Sequence, residues 1–292
     1  SCEFNSKFKI QKSKVKAKSQ KLLLILLITI GGFMRFVKLD WGDGYFFHPD
    51  EGAMAGAVSR LKPPNFDPGL FTYGQFPMYL VYGIKQIPSL LFNRELVTVS
   101  YEQAAMGLRI ISAIASVVTL VVVYMLAKEL WGERWGFVSA FIAAFMPGLI
   151  QAAHFGTTET LLGMFLVMVV WASIQFMSLE RVKNWFWLLV FATGLGLGTK
   201  ASAIVFVPIG VWGMLVSRLP IWKRFGYILS YLFLSVAIGA IASPYWVLKF
   251  ETVLDTIRYE SRVAAGENMP FYTRQFVATK PVVYEAGHVW PW

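Results

Sequence analysis

Long apolar stretches joined by short polar connections dominate this sequence. Runs that reach or approach the roughly 20 residues needed to cross a bilayer occupy 21–39, 106–127, 135–152, 160–178, 185–199, 201–217 and 225–247. They predict about seven membrane-spanning helices. Two of them, 185–199 and 201–217, are short and meet at Thr199–Lys200, which predicts a tight helical hairpin. The stretch 76–92 is apolar too, but it is short and Pro77, Lys85 and Pro88 interrupt it. If it spans, every later segment changes sides.

Charge settles the ambiguity. Loops 128–134, 180–184 and 218–224 carry Lys128, Arg134, Arg181, Lys183, Arg218, Lys223 and Arg224, while the alternate loops at 153–159 and 199–200 carry Lys200 alone. Seven lysines between Lys7 and Lys21, opposed only by Glu3, make the N-terminus basic and supply +6 of the net +10. Cytoplasmic segments are the ones enriched in Lys and Arg. The basic loops join the N-terminus inside only if 76–92 does not cross, so it is expected as an interfacial or re-entrant helix. The expected order is a basic cytoplasmic tail at 1–20, a transmembrane module at 21–247 with one long outer loop at 40–105, and an outer region at 248–292. That last region stops at Gly287-His288-Val289-Trp290-Pro291-Trp292 without a terminal signature, and the chain begins with Ser1, so a truncated piece of a longer protein is expected.

Composition agrees with lipid as the main solvent. Of 292 residues, 56% are hydrophobic and 15% charged, more apolar surface than a soluble domain of this length can bury. Aromatics at 16% suit membrane interfaces, where Trp and Tyr collect. The basic tail marks a terminus beside anionic lipid rather than a nucleic-acid site. One cysteine, Cys2, excludes a disulfide framework and a cysteine metal site. No cleavable signal is evident, and the first apolar run reads as a signal anchor.

Chemistry concentrates just outside the first span, in Asp40-Trp41-Gly42-Asp43-Gly44-Tyr45-Phe46-Phe47-His48-Pro49-Asp50-Glu51-Gly52. The bland account of Pro49, Asp50 and Glu51 is a helix start, with acids complementing the macrodipole. The functional account is a general base held at the membrane surface, where partial desolvation tunes its basicity. A helix start also fixes a carboxylate in place, so the two are compatible. Further along, Arg35 and Lys38 suit snorkelling anchors, Arg109 suits an ion pair with Glu102, and Glu159 suits a helix cap. His48, His154 and His288 show no metal-ligand spacing. Gly194, Gly196 and Gly198 lie within a span, as a packing surface rather than a phosphate loop.

A first span ending in Arg35, followed by an outer loop with His48-Pro49-Asp50-Glu51, resembles the GT-C membrane glycosyltransferases. Within that fold the chain is most similar to the protein-mannosyltransferase and aminoarabinose-transferase group (glycosyltransferase family 39 or 83). The likeness continues at Gly74-Gln75-Phe76-Pro77-Met78-Tyr79-Leu80, at Arg109, at His154-Phe155-Gly156-Thr157-Thr158-Glu159-Thr160, at Gly194 to Lys200 and at Ser243-Pro244-Tyr245-Trp246. It covers roughly residues 21–292. Glu159 is a departure, since Asp is more usual there.

The resemblance implies an all-α polytopic membrane protein, a GT-C-like helical bundle whose long first outer loop carries interfacial helices. It implies a donor with a sugar on a polyprenyl phosphate, an acceptor hydroxyl on a lipid, glycan or protein, and an active site on the outer face of the cell membrane. A glycosidase needs an acid for its leaving alkoxide; a polyprenyl phosphate leaves readily, so one base and cations for the phosphate suffice. Asp50 is the expected base and Glu51 the second choice. Lys200, Arg109 and Arg35 are the expected phosphate ligands, and Glu159, His48 and His154 the expected acceptor-side groups. Lys200 in an otherwise apolar hairpin must meet an anion or snorkel to water. No cofactor is expected, and a divalent metal is left open. The rival readings are a transporter or lipid flippase, which would show paired repeats with broken helices at mid-membrane, and a non-catalytic membrane scaffold.

Overall fold

The structure, a computed structural model, describes residues 2–45, 47–178 and 181–264. The remainder of the expected outer region, from 265 on and including His288, lies outside them. Among the described residues the chain is helical with no strand: α1 (Cys2–Phe36), α2 (Pro49–Ser59), α3 (Phe76–Leu91), α4 (Tyr101–Trp131), α5 (Glu133–Phe145), α6 (Pro147–Ala153), α7 (Glu159–Met177), α8 (Val182–Leu197), a 3-10 turn (Ala201–Val205), α9 (Phe206–Val216), α10 (Ile221–Ala242), α11 (Pro244–Leu248) and α12 (Phe250–Ala264).

Four segments are long and apolar enough to cross a membrane, namely Ser19–Phe36, Tyr101–Trp131, Glu159–Met177 and Ile221–Ala242, and α5 with α6 makes a fifth bent by 59°. The chain is therefore a multi-pass membrane protein. The two segments expected as a hairpin are shorter apolar helices. At 1.5 Å per residue, 16 residues in α8 fall short of the roughly 30 Å of a bilayer core. They also do not pack as a tight hairpin. Both arms lie mainly on α7, and α8 continues onto α10. The reason is visible in the glycines: a Cβ at Gly194 would meet Ile238 at 2.7 Å and one at Gly198 would meet Ala242 at 2.7 Å. That small-residue face therefore belongs to α10, since small residues let helix backbones approach in lipid.

Half of the most hydrophobic window of α4 is buried, against 17% for α1 and 22% for α10. This places α4 in the middle of the bundle and α1 and α10 at its edge, with Leu22, Phe33, Phe233 and Ile241 left for lipid. The break between α5 and α6 follows from Pro147, which has no N–H to give to Ala143.

Compact packing extends from the N-terminus to Pro244, and a second unit begins at Tyr245. Within that second unit α12 is amphipathic, with Phe250, Val253, Leu254 and Ile257 along one stripe and Glu251, Asp255, Arg258 and Arg262 off it.

Candidate active site at one end of the bundle

Several helix ends meet at one end of the bundle. The Trp41 indole donates to His154 O at 3.1 Å, and His154 Nε2 lies 2.9 Å from Val37 O. The end of α1 is thus joined to the end of α6. α3 starts at this same end. Its first turn is tied to the end of α8, and the chain after it returns to Ser100, which caps α4 in a reciprocal capping box with Gln103. Segment 76–92 forms one helix, unbroken by Pro88.

The tie at the start of α3 unites three of the motifs singled out in the sequence. Gly74 N donates to Thr199 O at 2.9 Å and Phe76 N to Gly198 O at 3.0 Å. The Ser243 hydroxyl accepts from Gln75 N and donates to Gly198 O, both at 2.7 Å. Gly74 is needed for this close approach, because a Cβ there would lie 2.0 Å from Gly198 O. Lys200, the next residue along, is thereby fixed at its backbone.

Asp50 and Glu51 are adjacent in sequence and separate in role. Pro49 and the His48 side chain start α2, with His48 Nδ1 accepting from Asp50 N at 3.3 Å. One residue later the helix turns Glu51 into the protein, with no exposure. Its carboxylate takes Arg109 Nε at 2.6 Å, Arg109 Nη2 at 2.9 Å and Gly156 N at 2.8 Å. Asp50 turns the other way, into a cleft of about 550 Å³ whose walls include His48, Gln151, Phe155, Thr157 and Glu159. Among the described residues no hydrogen-bond donor reaches the Asp50 carboxylate. It is the acid with acceptor capacity to spare.

The expected cations divide in the same way. Arg109 is buried, and besides Glu51 its guanidinium donates to Leu39 O at 2.7 Å and Trp41 O at 3.0 Å while its carbon lies 5.0 Å from the Trp41 ring. It pairs with Glu51, not with Glu102, and these bonds turn it away from a phosphate in the cleft. Arg35 is also buried. It donates to Ser116 Oγ at 2.7 Å, Gly31 O at 2.8 Å, Ala144 O at 3.0 Å and Ala143 O at 2.9 Å. The carbonyls of Ala143 and Ala144 end α5 at the proline break, where helix partners run out and the dipole favours a cation. Arg35 is therefore a pin for the broken span, its guanidinium turned to these carbonyls rather than snorkelling to the interface. Lys200 alone of the three stays at the surface. Its ammonium lies 3.2 Å from Glu159 Oε1 and 5.3 Å from the centre of the Tyr73 ring.

Of the acceptor-side candidates, His48 and Glu159 line the Asp50 cleft. His154 does not; both its ring nitrogens face backbone carbonyls, Ile150 O at 2.8 Å and Val37 O at 2.9 Å. Among the described residues no three His, Cys, Asp or Glu side chains form a metal-binding group. Sequence reasoning passed over Gln151 and Tyr73. Gln151 carries a weak signal, a polar side chain at the end of the run 135–152; Tyr73, one aromatic among many, carries none.

A second cavity, about 350 Å³, lies among α3, α4, α7 and α8 and is lined wholly by apolar side chains, including Phe76, Leu80, Ile111, Leu161, Phe165 and Leu195. Phe76 belongs to the tie that fixes Lys200, and Leu161 stands two residues from Glu159. The site as a whole offers a carboxylate in a cleft, a surface cation with a carboxylate partner, and an apolar slot close by.

No curated protein matches the chain by sequence. Solved structures do match in fold. The S. cerevisiae protein O-mannosyltransferase complex bound to its sugar donor aligns with a TM-score of 0.60 and 16% identity, over 80% of this chain and 34% of that one. The Archaeoglobus fulgidus oligosaccharyltransferase in its apo form gives 0.55 and 16%, over 91% and 36%, and apo ArnT from Cupriavidus metallidurans gives 0.51 and 19%, over 91% and 45%. The chain thus spans between a third and a half of the length of each. All three share the GT-C fold. Residues 94–247, more than half of the chain, match the family described as dolichyl-phosphate-mannose-protein mannosyltransferase. By that match and by its fold, the chain belongs to the dolichyl-phosphate-mannose-protein mannosyltransferase family of GT-C membrane glycosyltransferases.

Proposed function

We propose that this chain carries the donor-binding and base groups of an inverting glycosyltransferase that moves a sugar from a polyprenyl phosphate to a hydroxyl of a lipid, glycan or protein on the outer face of the membrane. The observation that carries the reading is a surface lysine paired with Glu159, a carboxylate of the Asp50 cleft, at the end of the bundle where an apolar cavity begins at Phe76 and Leu161. An amphiphile with an anionic head and a prenyl tail has the chemistry to fill such a pair of sites.

In this reading Asp50 takes the acceptor proton as the hydroxyl oxygen attacks the anomeric carbon from the face opposite the phosphate. The carbon–oxygen bond to the phosphate breaks, and the electron pair leaves with the polyprenyl phosphate. Lys200 takes up part of that charge, as a positioned cation does for developing negative charge. No acid is called on, because the leaving group is already a stable anion. No cofactor is called on either, and turnover unchanged by EDTA is expected.

The test uses the full-length protein in liposomes with a radiolabelled polyprenyl-phosphate sugar and candidate acceptors. Label transferred to an acceptor supports the reading. Label that crosses the bilayer still bound to its lipid, with no transfer, would make the protein a carrier instead.

A further inference from the structure

Two carboxylate–cation pairs stand at this end of the bundle, and they differ in what governs exchange. Glu51 and Arg109 are 0% and 1% exposed, and the Glu51 carboxylate takes three N–H donors. Glu159 and Lys200 keep 49% and 32% of their side-chain exposure and meet through one contact of 3.2 Å. Glu159 is also held by the Thr158 hydroxyl, at a long 3.3 Å. The first pair is locked and the second is loose.

Lys200 itself is not loose at its root. Its N–H donates to Gly196 O at 3.0 Å, its carbonyl accepts from Ala203 at 3.0 Å, and Thr199 before it is tied to Gly74. A fixed backbone therefore presents a flexible stem whose ammonium has two partners, the Tyr73 ring and the Glu159 carboxylate. Beside an apolar cavity, an ammonium without an anion is drawn off toward water. Glu159 supplies that anion while no ligand is bound.

We infer that Glu159 is an exchangeable counter-ion that occupies the Lys200 ammonium until the donor phosphate displaces it. The inference rests on the proposed donor role of Lys200. A phosphate offers more acceptor oxygens than one carboxylate contact does, and charge-assisted bonds of this kind are strong ones. An exposed pair is weak, so displacing Glu159 costs the donor only a small part of its affinity. Glu159 also has somewhere to go. It sits in the first turn of α7, where the helix dipole favours a carboxylate, and it forms part of the wall of the Asp50 cleft.

The experiment measures binding of a short-chain polyprenyl monophosphate to the full-length protein in nanodiscs. The variants are Glu159→Gln, Glu159→Ala, Lys200→Met and the double Glu159→Gln/Lys200→Met. Removing the competitor is expected to tighten binding about two- to fivefold in both Glu159 variants, the range set by a weak exposed pair. Lys200→Met is expected to bind weakly, and the double variant to match it, because the effect of Glu159 passes through Lys200. Unchanged or weaker binding in Glu159→Gln and Glu159→Ala, with Lys200→Met still weak, overturns the exchange and leaves the donor role of Lys200 standing. Lys200→Met binding as tightly as the wild type overturns that donor role itself.

Discussion

Glu51 and Arg109, 58 residues apart in the chain, meet in a two-pronged pair of 2.6 and 2.9 Å from which water is excluded. The same carboxylate holds the N–H of Gly156, and the same guanidinium holds the carbonyls of Leu39 and Trp41. One ion pair therefore fastens the start of α2, the first turns of α4, the loop after α1 and the loop after α6. Two of them, the start of α2 and the loop after α6, wall the Asp50 cleft through His48, Asp50, Phe155 and Thr157. The neighbouring acids of one sequence motif thus divide into a structural group and a free one.

Removing one partner of a buried pair leaves a buried charge uncompensated, at a cost of roughly 3–5 kcal/mol. Glu51→Gln is therefore expected to lower the melting temperature sharply, or to prevent the protein from accumulating. Arg109→Lys keeps the charge but loses the planar fork that matches a carboxylate, and should fall between the wild type and Glu51→Gln. Melting curves in detergent decide the matter, and a Glu51→Gln protein as stable as the wild type would remove the pair from its fastening role.

Asp50→Asn carries the opposite expectation. Asp50 makes no comparable contacts, so the melting temperature should hold. Turnover should fall by about 10²-fold or more, in keeping with what a general base contributes. Donor affinity should be unchanged, because the carboxylate does not touch the phosphate in the proposed reaction. Near-normal turnover in the Asn variant would return Asp50 to the rank of a helix-start residue.

Much of this was legible in the sequence. Lipid-length apolar runs give most of the helices, and the one-sided placing of Lys and Arg carries the proposal that α3 does not take the chain across. The site's neighbourhood was legible through a resemblance, since His48, Asp50, Glu159 and Lys200 do gather at one end. What the sequence concealed was the partner of each cation. Nothing local says that Arg109 prefers Glu51 to Glu102, because the preference depends on which side of α2 faces inward. Nothing near Arg35 announces the carbonyls of Ala143 and Ala144, more than 100 residues away. Pro147 does foretell the break that frees them, so Arg35 and Pro147 together held a readable hint.

Arg35→Met tests that hint. The variant keeps an apolar stem and strips the donors from Ala143 O, Ala144 O and Ser116 Oγ. Hydrogen bonds from a charged donor contribute about 1.5–3 kcal/mol each, and buried acceptors left bare add a penalty. A loss of roughly 3 kcal/mol or more in stability is expected, with donor affinity in the surviving folded fraction unchanged. Donor affinity falling in step with a preserved melting temperature would restore Arg35 to the phosphate site.

Orientation is open to a direct measurement. Residues 40–105 are proposed to face the outside, and the turns at 128–134 and 218–224 the cytoplasm, because Lys and Arg favour the cytoplasmic side. With Cys2 replaced, single cysteines at Asn65 and Asn184, both exposed, should react oppositely with an impermeant reagent. Asn65 should label in intact cells and Asn184 only after lysis. Equal labelling at both would overturn the arrangement.

Gly74 offers the sharpest test of how Lys200 is held. A Cβ at this position would lie 2.0 Å from Gly198 O and 2.4 Å from Gly198 C. Both are backbone atoms, so no side chain can rotate out of the way. Gly74→Ala must therefore lift the loop from the end of α8 and break the bonds from Gly74 N to Thr199 O and from Phe76 N to Gly198 O. Two backbone hydrogen bonds contribute about 1 kcal/mol each, so a loss near 2 kcal/mol in stability is expected. The larger effect should fall on the donor, because Thr199 moves and carries Lys200 with it. An affinity loss of about tenfold corresponds to roughly 1.4 kcal/mol, within what a displaced charge-assisted bond contributes. Gly83, inside α3, is the control. A Cβ there meets nothing within 4 Å, and Ala in a helix interior is favoured over Gly by about 1 kcal/mol. Gly83→Ala should leave donor affinity alone and raise the melting temperature slightly. Melting curves and polyprenyl-phosphate binding on the two variants give the comparison, and equal donor affinity in both would show that the tie at Gly74 does not position Lys200.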